Sequence, residues 1–251
     1  MKNFNSKFNF INFSKFNQKK KQYIVNNIFS SVHNKYDIMN DLMSFGLHRI
    51  WKKTFIESMN LKKNMKVLDL ACGTCDLAKP ILKKIEVQRN LFMLDLNHKM
   101  LKIGKRKCID NNITNANIIQ GDIHDLPFKD NYFDIICISF GFRNVMNKNL
   151  ALKEIYRCLK IGGKFSILEF SKPKGYFFNK LYDFYLFNYI TNIGKFISNN
   201  LYSYEYLSKS IKKHPDQNTL KKMMKKINFY NASYKNLANG IVAIHSGYKC
   251  Y

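Results

Sequence analysis

From residue 66 onward the chain alternates short apolar runs with longer stretches whose apolar residues recur every three or four positions. Short runs bounded by turn formers read as buried strands, and the three-to-four spacing reads as amphipathic helix. On that basis strands are predicted at 66–70, 91–94, 116–120, 133–139 and 164–170. Helices are predicted at 76–85, 99–111 and 150–159, the last stopped by Gly162-Gly163. Such alternation builds a parallel sheet with helices on both faces. Ahead of it, residues 23–60 carry a helical pattern through Ile24, Ile28, Val32, Tyr36 and Leu42. Behind it, residues 171–225 form a long, aromatic-rich helical insertion after the fifth strand. Strand character returns at 232–237 and 241–245, joined by Asn239-Gly240, a pair suited to the positive φ of a hairpin turn.

Composition narrows the class. With 46% hydrophobic residues in 251, the chain can bury a core, and residues 23–251 read as one domain. Residues 1–22, where Phe4, Phe8, Phe10, Phe13 and Phe16 stand among Asn, Ser and Lys, read as a flexible low-complexity leader with no secretory signal. No window approaches the roughly 18 uninterrupted apolar residues of a membrane span. The net charge of +25 invites nucleic acid or an anionic membrane. Its lysines, however, are spread along the whole chain. The cysteines at 72, 75, 108, 137, 158 and 250 lie mostly in apolar runs, which implies a reducing compartment. Cys72 and Cys75 form a C-x-x-C, but no second pair completes a metal site, so no metal is expected.

The chemistry concentrates where predicted strands end. Val67 to Asp76 places a small-residue loop between the first strand and a helix, at the edge where open α/β sheets bind ligands. Gly73 lets a ligand approach the backbone. The loop lacks G-x-G-x-x-G, which disfavours a dinucleotide. Asp95 ends the second strand 22 residues beyond Gly73, near the spacing of a carboxylate that accepts ribose hydroxyls. A nucleoside cofactor without a required phosphate fits both facts. Asp122 and Ile123 follow the third strand, suited to an adenine amine and the ring face. Ser139 to Asn144 follow the fourth and carry no Pro-Pro-aromatic grip for an amine, which weakens nitrogen as acceptor. A parallel sheet ending in an antiparallel hairpin points to the methyltransferase variant of the doubly wound fold.

From about Tyr23 to Tyr251 the sequence resembles the ubiquinone/menaquinone biosynthesis C-methyltransferases, the UbiE/COQ5 family. The resemblance rests on Lys35 to Gly46 (KYDIMNDLMSFG), Ser139 to Val145 (SFGFRNV), Leu168 to Pro173 (LEFSKP), Tyr206 to Ile211 (YLSKSI) and His214 to Gln217 (HPDQ). It implies a class I S-adenosylmethionine-dependent methyltransferase fold with a seven-stranded, mostly parallel sheet. It implies S-adenosylmethionine held by Gly73, Thr74, Asp95, Asp122, Ile123 and Ser139. The acceptor it implies is a ring carbon of a polyprenyl-benzoquinol or demethylmenaquinol. Arg143 is then the fixed cation for the phenolate or the holder of the water that takes its proton, with Asn144 and Tyr36 completing the hydrogen bonds. The insertion's aromatics would cover the isoprenoid tail. The expected location is cytoplasmic, at the inner face of a membrane, with no nucleic acid bound; a homodimer and contacts with quinone-biosynthesis proteins are compatible. One departure stands out: the family usually has Gly where this chain has Cys75. Two rivals stay open at this point, an RNA methyltransferase favoured by the charge and a non-catalytic scaffold favoured by Cys75.

Overall fold

A computed structural model describes residues 23, 25, 27, 30, 41, 44–173, 175 and 201–250. The leader, Tyr36 and the aromatic run from Tyr176 to Tyr189 lie outside these residues. In chain order the elements are α1 (Leu47–Ser58), β1 (Val67–Leu70), α2 (Ala78–Ile85), β2 (Leu91–Asp95), α3 (His98–Asp110), β3 (Asn117–Gln120) and β4 (Phe133–Ser139). They continue with α4 (Lys148–Cys158), β5 (Leu159–Phe170), α5 (Leu201–Lys213), α6 (Gln217–Lys226), β6 (Tyr230–Leu237) and β7 (Val242–Tyr248).

The sheet runs β3-β2-β1-β4-β5-β7-β6. Its first five members pair in parallel, and β7 is antiparallel to both β5 and β6. The mostly parallel seven-stranded sheet with an antiparallel end is therefore present. Period-two alternation along the strands splits the core into two layers. Val67, Met93 and Ile135 pack with Trp51 and Phe55 of α1 and Ile81 and Ile85 of α2. Leu68, Leu70 and Ile136 pack with Leu152 and Ile155 of α4 and Leu220 and Met224 of α6. Side-chain caps begin the helices as polar sequence signals suggest: Asn97 accepts from Met100 N, Asn147 from Leu150 N, and Asp216 from Thr219 N.

Two local expectations change. Gly162-Gly163 does not stop α4, which ends at Cys158, with Leu159 already extended as the first residue of β5. The glycines sit inside β5 at an irregularity, where the pairing steps from Phe133↔Leu159 to Ile135↔Lys164. Gly162 takes φ 78, and a Cβ on Gly163 would lie 2.8 Å from the Lys160 carbonyl, so only glycine fits that bulge. The C-terminal turn is longer than a two-residue hairpin, because Leu237 pairs with Val242. Ala238, Asn239 and Gly240 all take positive φ there.

Candidate active site

The loop after β1 is built on left-handed backbone: Ala71, Gly73 and Cys75 have φ of 50, 54 and 61. Side-chain and backbone bonds hold this unusual path. Cys72 N donates to Leu94 O at 3.2 Å, and Gly73 N donates to Asp95 Oδ2 at 2.8 Å. Asp95 Oδ1 accepts from Asn97 N at 2.8 Å. Asp95 thereby staples the first loop to the second, and each oxygen retains a further lone pair. Burial raises its pKa, opposed by the amides of Asn97 and Gly73.

A cleft whose empty space, open mouth included, comes to about 860 Å³ lies against this staple. Gly73, Asp95, Asp122, Ile123, Ser139 and Asn144 line it. Asn97, Met100 and His124 line it too, and sequence reasoning missed them. His124 fixes the Asp122 loop: its Nε2 accepts from Asn147 N at 3.1 Å, so the proton sits on Nδ1, 2.6 Å from Asp122 Oδ1. The Asp-x-His spacing was a visible signal, although nothing in the sequence links it to Asn147.

A second cleft shares Ala71, Gly73, Ser139 and Phe140 with the first, and its other walls include Ser44, His48, Lys52, Asp69, Arg143 and Phe170. Asp69 comes from the middle of β1, on the same face as Val67. Its Oδ1 lies 3.7 Å from Cys137 Sγ, and its buried Oδ2 has no hydrogen-bond partner. Desolvation pushes its pKa up to about 8. Ser139 Oγ, on the shared wall, is also buried without a partner.

Three predicted site residues have other surroundings. Thr74 is buried with its hydroxyl turned to Asp76 Oδ1, 3.0 Å away, and it lines the second cleft, not the first. Arg143 is enclosed, its side chain 4% exposed. It donates to Glu169 Oε1 at 2.8 Å and to the Phe140 carbonyl, while its backbone N donates to Glu169 Oε2 at 3.0 Å. Its charge is thus matched by a buried carboxylate, which the sequence did not reveal because Glu169 lies 26 positions away. Asn144 Oδ1 accepts from Tyr206 Oη at 2.9 Å, which turns the amide's NH2 group away from Tyr206.

Cys75 is packed against α3: a Cβ added to Gly104 would lie 2.5 Å from Cys75 Sγ and 3.2 Å from the Thr74 carbonyl carbon. The two positions are therefore coupled. Gly104→Ala is expected to destabilise the wild-type chain by about 1 to 3 kcal/mol and to cost less in a Cys75→Gly background. Cys75→Gly alone is expected to keep cofactor affinity, since glycine accepts φ 61 freely. Thermal melts of the four chains check the coupling.

The chain is 46% identical over 234 residues to the ubiquinone/menaquinone biosynthesis C-methyltransferase UbiE of Idiomarina loihiensis, covering 93% of this chain and 92% of that protein. It is 48% identical over 231 residues to the UbiE of Shewanella pealeana, covering 92% of each. Among solved structures it resembles a putative methyltransferase in complex with the Haloferax volcanii activator Trm112, with a TM-score of 0.65 at 16% identity, covering 89% of this chain and 98% of that one. A possible histamine N-methyltransferase from Thermotoga maritima gives a TM-score of 0.60 at 18% identity, covering 89% of this chain and 98% of that one. These two show the fold. With the family model for ubiE/COQ5 methyltransferases matching residues 15–249, the chain belongs to the ubiE/COQ5 methyltransferase family.

Proposed function

We propose that this chain methylates a ring carbon of a polyprenyl-benzoquinol or demethylmenaquinol, using S-adenosylmethionine, in ubiquinone or menaquinone biosynthesis. The observation that carries the reading is the pair of clefts joined at Gly73, Ser139 and Phe140, one suited to a nucleoside and the other lined by a carboxyl, Asp69, with one unpartnered oxygen. The names of the relatives support the acceptor class.

The residues fit the cofactor. Asp95 has lone pairs left for two ribose hydroxyls after binding Gly73 and Asn97. Asp122 and Ile123 would hold the adenine edge and face, and Gly73 permits close backbone approach. Asp69 Oδ2 offers a buried acceptor for the amino-acid end. When bound, the cofactor supplies an electrophilic methyl group on a sulfonium. The chain's task is to activate the acceptor. Ring carbon is a poor nucleophile until a phenol proton leaves, and a phenol titrates at about 10 in water, so the site must favour phenolate. The Asn144 amide, oriented by Tyr206, is the donor for the acceptor's oxygen, with Tyr36 as its companion. Arg143, neutralised by Glu169, holds the Phe140–Asn144 backbone in place.

Among the described residues no helix is long and apolar enough to cross a membrane. A lipophilic acceptor calls for work at a membrane surface. Incubating the chain with methyl-labelled S-adenosylmethionine and a short-tailed quinol should yield a product labelled on a ring carbon. Cofactor binding without any methylated quinol would overturn the reading.

Asp69 supplies a pH signature. Its folded pKa of about 8 lies above the 3.8 of a free aspartate side chain, so the folded state holds the extra proton and stability falls as pH rises between about 4 and 8. A cation placed at Oδ2 lowers that pKa. Binding S-adenosylmethionine at pH 7 is therefore expected to release about one proton, and Asp69→Asn to release none. Calorimetry in buffers of different ionisation enthalpy measures the difference.

A further inference from the structure

The first turn of α1 breaks the amphipathic pattern. Trp51, Phe55 and Ile56 face the core, yet Phe45, Leu47 and Ile50 are 66%, 41% and 60% exposed. Phe45 also has φ 49, a left-handed conformation that is costly for a bulky side chain. Next to this apolar tip the surface is basic. Arg49 and Lys53 of α1 line a groove whose far wall carries Lys79, Lys83 and Lys84 of α2, all exposed. Of the groove's three carboxylates, Asp41 is bound by Arg49 at 2.7 Å, and Asp76 by Lys52 and Lys107 at 2.9 and 3.1 Å. The groove is therefore left with surplus positive charge.

We infer that the α1 tip and this groove dock the protein on an anionic phospholipid leaflet, the apolar tip entering the interface and the lysines meeting the headgroups. Exposed large apolar side chains beside a cationic surface match a bilayer, which has both an anionic face and an apolar interior. A phosphodiester backbone has the charge alone and gives Leu47 and Ile50 nothing to enter. The placement also suits the acceptor. Ser44 and His48, from the same turn as Phe45 and Leu47, line the second cleft, so a lipid-dissolved quinol would leave the bilayer next to the site. This last point rests on the proposed function; the docking surface rests on exposure and charge.

The test uses the full chain and sedimentation with vesicles of phosphatidylcholine, alone or mixed with phosphatidylglycerol. The wild type should favour the anionic vesicles. Phe45→Asn/Leu47→Ser/Ile50→Ser should lose at least tenfold in vesicle affinity, asparagine being chosen because it accepts the left-handed backbone. Lys53→Glu/Lys83→Glu/Lys84→Glu should lose on the order of a hundredfold and with it the preference for anionic lipid. A control of equal charge on α6, Lys222→Glu/Lys225→Glu/Lys226→Glu, should stay within severalfold of wild type. Turnover of a water-soluble short-tailed quinol should be unchanged in all three. Equal loss in the control, no loss in either tip or groove variant, or binding of an RNA duplex with vesicles ignored would overturn the docking surface. Vesicle binding as expected, with the short-tailed quinol untouched by the wild type, would overturn the proposed function and leave the surface standing.

Discussion

Asp95→Ala is expected to lower S-adenosylmethionine affinity by about thirtyfold to a thousandfold, or about 2 to 4 kcal/mol. The loss has two parts. The ribose hydroxyls lose their acceptor, and the amides of Gly73 and Asn97 lose theirs, so the loop is no longer stapled to the end of β2. Asp95→Asn keeps one oxygen and should fall between alanine and wild type. Because Asn97 also caps α3, the alanine variant should melt at lower temperature. Titration calorimetry with the cofactor, run beside thermal melts, separates the two parts. An alanine variant within threefold of wild-type affinity would remove Asp95 as the ribose anchor.

The second large effect is at Arg143 and Glu169, whose side chains are 4% and 1% exposed. Removing one member of a buried pair strands the other charge, so Arg143→Met and Glu169→Gln are each expected to destabilise by about 3 to 5 kcal/mol. Combining Arg143→Met with Glu169→Leu should cost less than the sum, because no stranded charge remains. Kinetics then decide what the pair does. If Arg143 acted by its field on the phenolate, Glu169→Gln would unmask that field and raise kcat. Acting by position, it makes both single variants lose about a hundredfold in kcat, as the Phe140–Asn144 backbone shifts. A positioning defect also persists at alkaline pH, whereas a missing cation is compensated as solvent ionises the phenol. Denaturant titration and kcat between neutral and alkaline pH provide both readings.

The sheet was legible because buried parallel strands read as short apolar runs, and predicted strands 66–70, 91–94 and 133–139 fall within a residue of β1, β2 and β4. The α4 boundary was not. Gly162-Gly163 looks like a helix stop in one dimension, but that glycine pair serves a bulge whose crowding comes from Phe133 and Lys160 carbonyls. Glycine's signal is a backbone conformation, and the same conformation ends a helix or bends a strand.

By itself the sequence determined the period of each element, the loop chemistry at the strand ends and the family blocks. These are local, carried by residue type and spacing over a few positions. Tertiary structure alone decided which groups are charged and available. Asp69 reads as one more strand acid until burial raises its pKa and leaves Oδ2 without a partner. Arg143 reads as an open cation until β5 brings Glu169 to 2.8 Å. His124 acquires its tautomer only from Asn147, 23 residues on. The physical reason is common to all three: desolvation and Coulomb interaction depend on distance in space, and the sheet brings together side chains that the sequence separates.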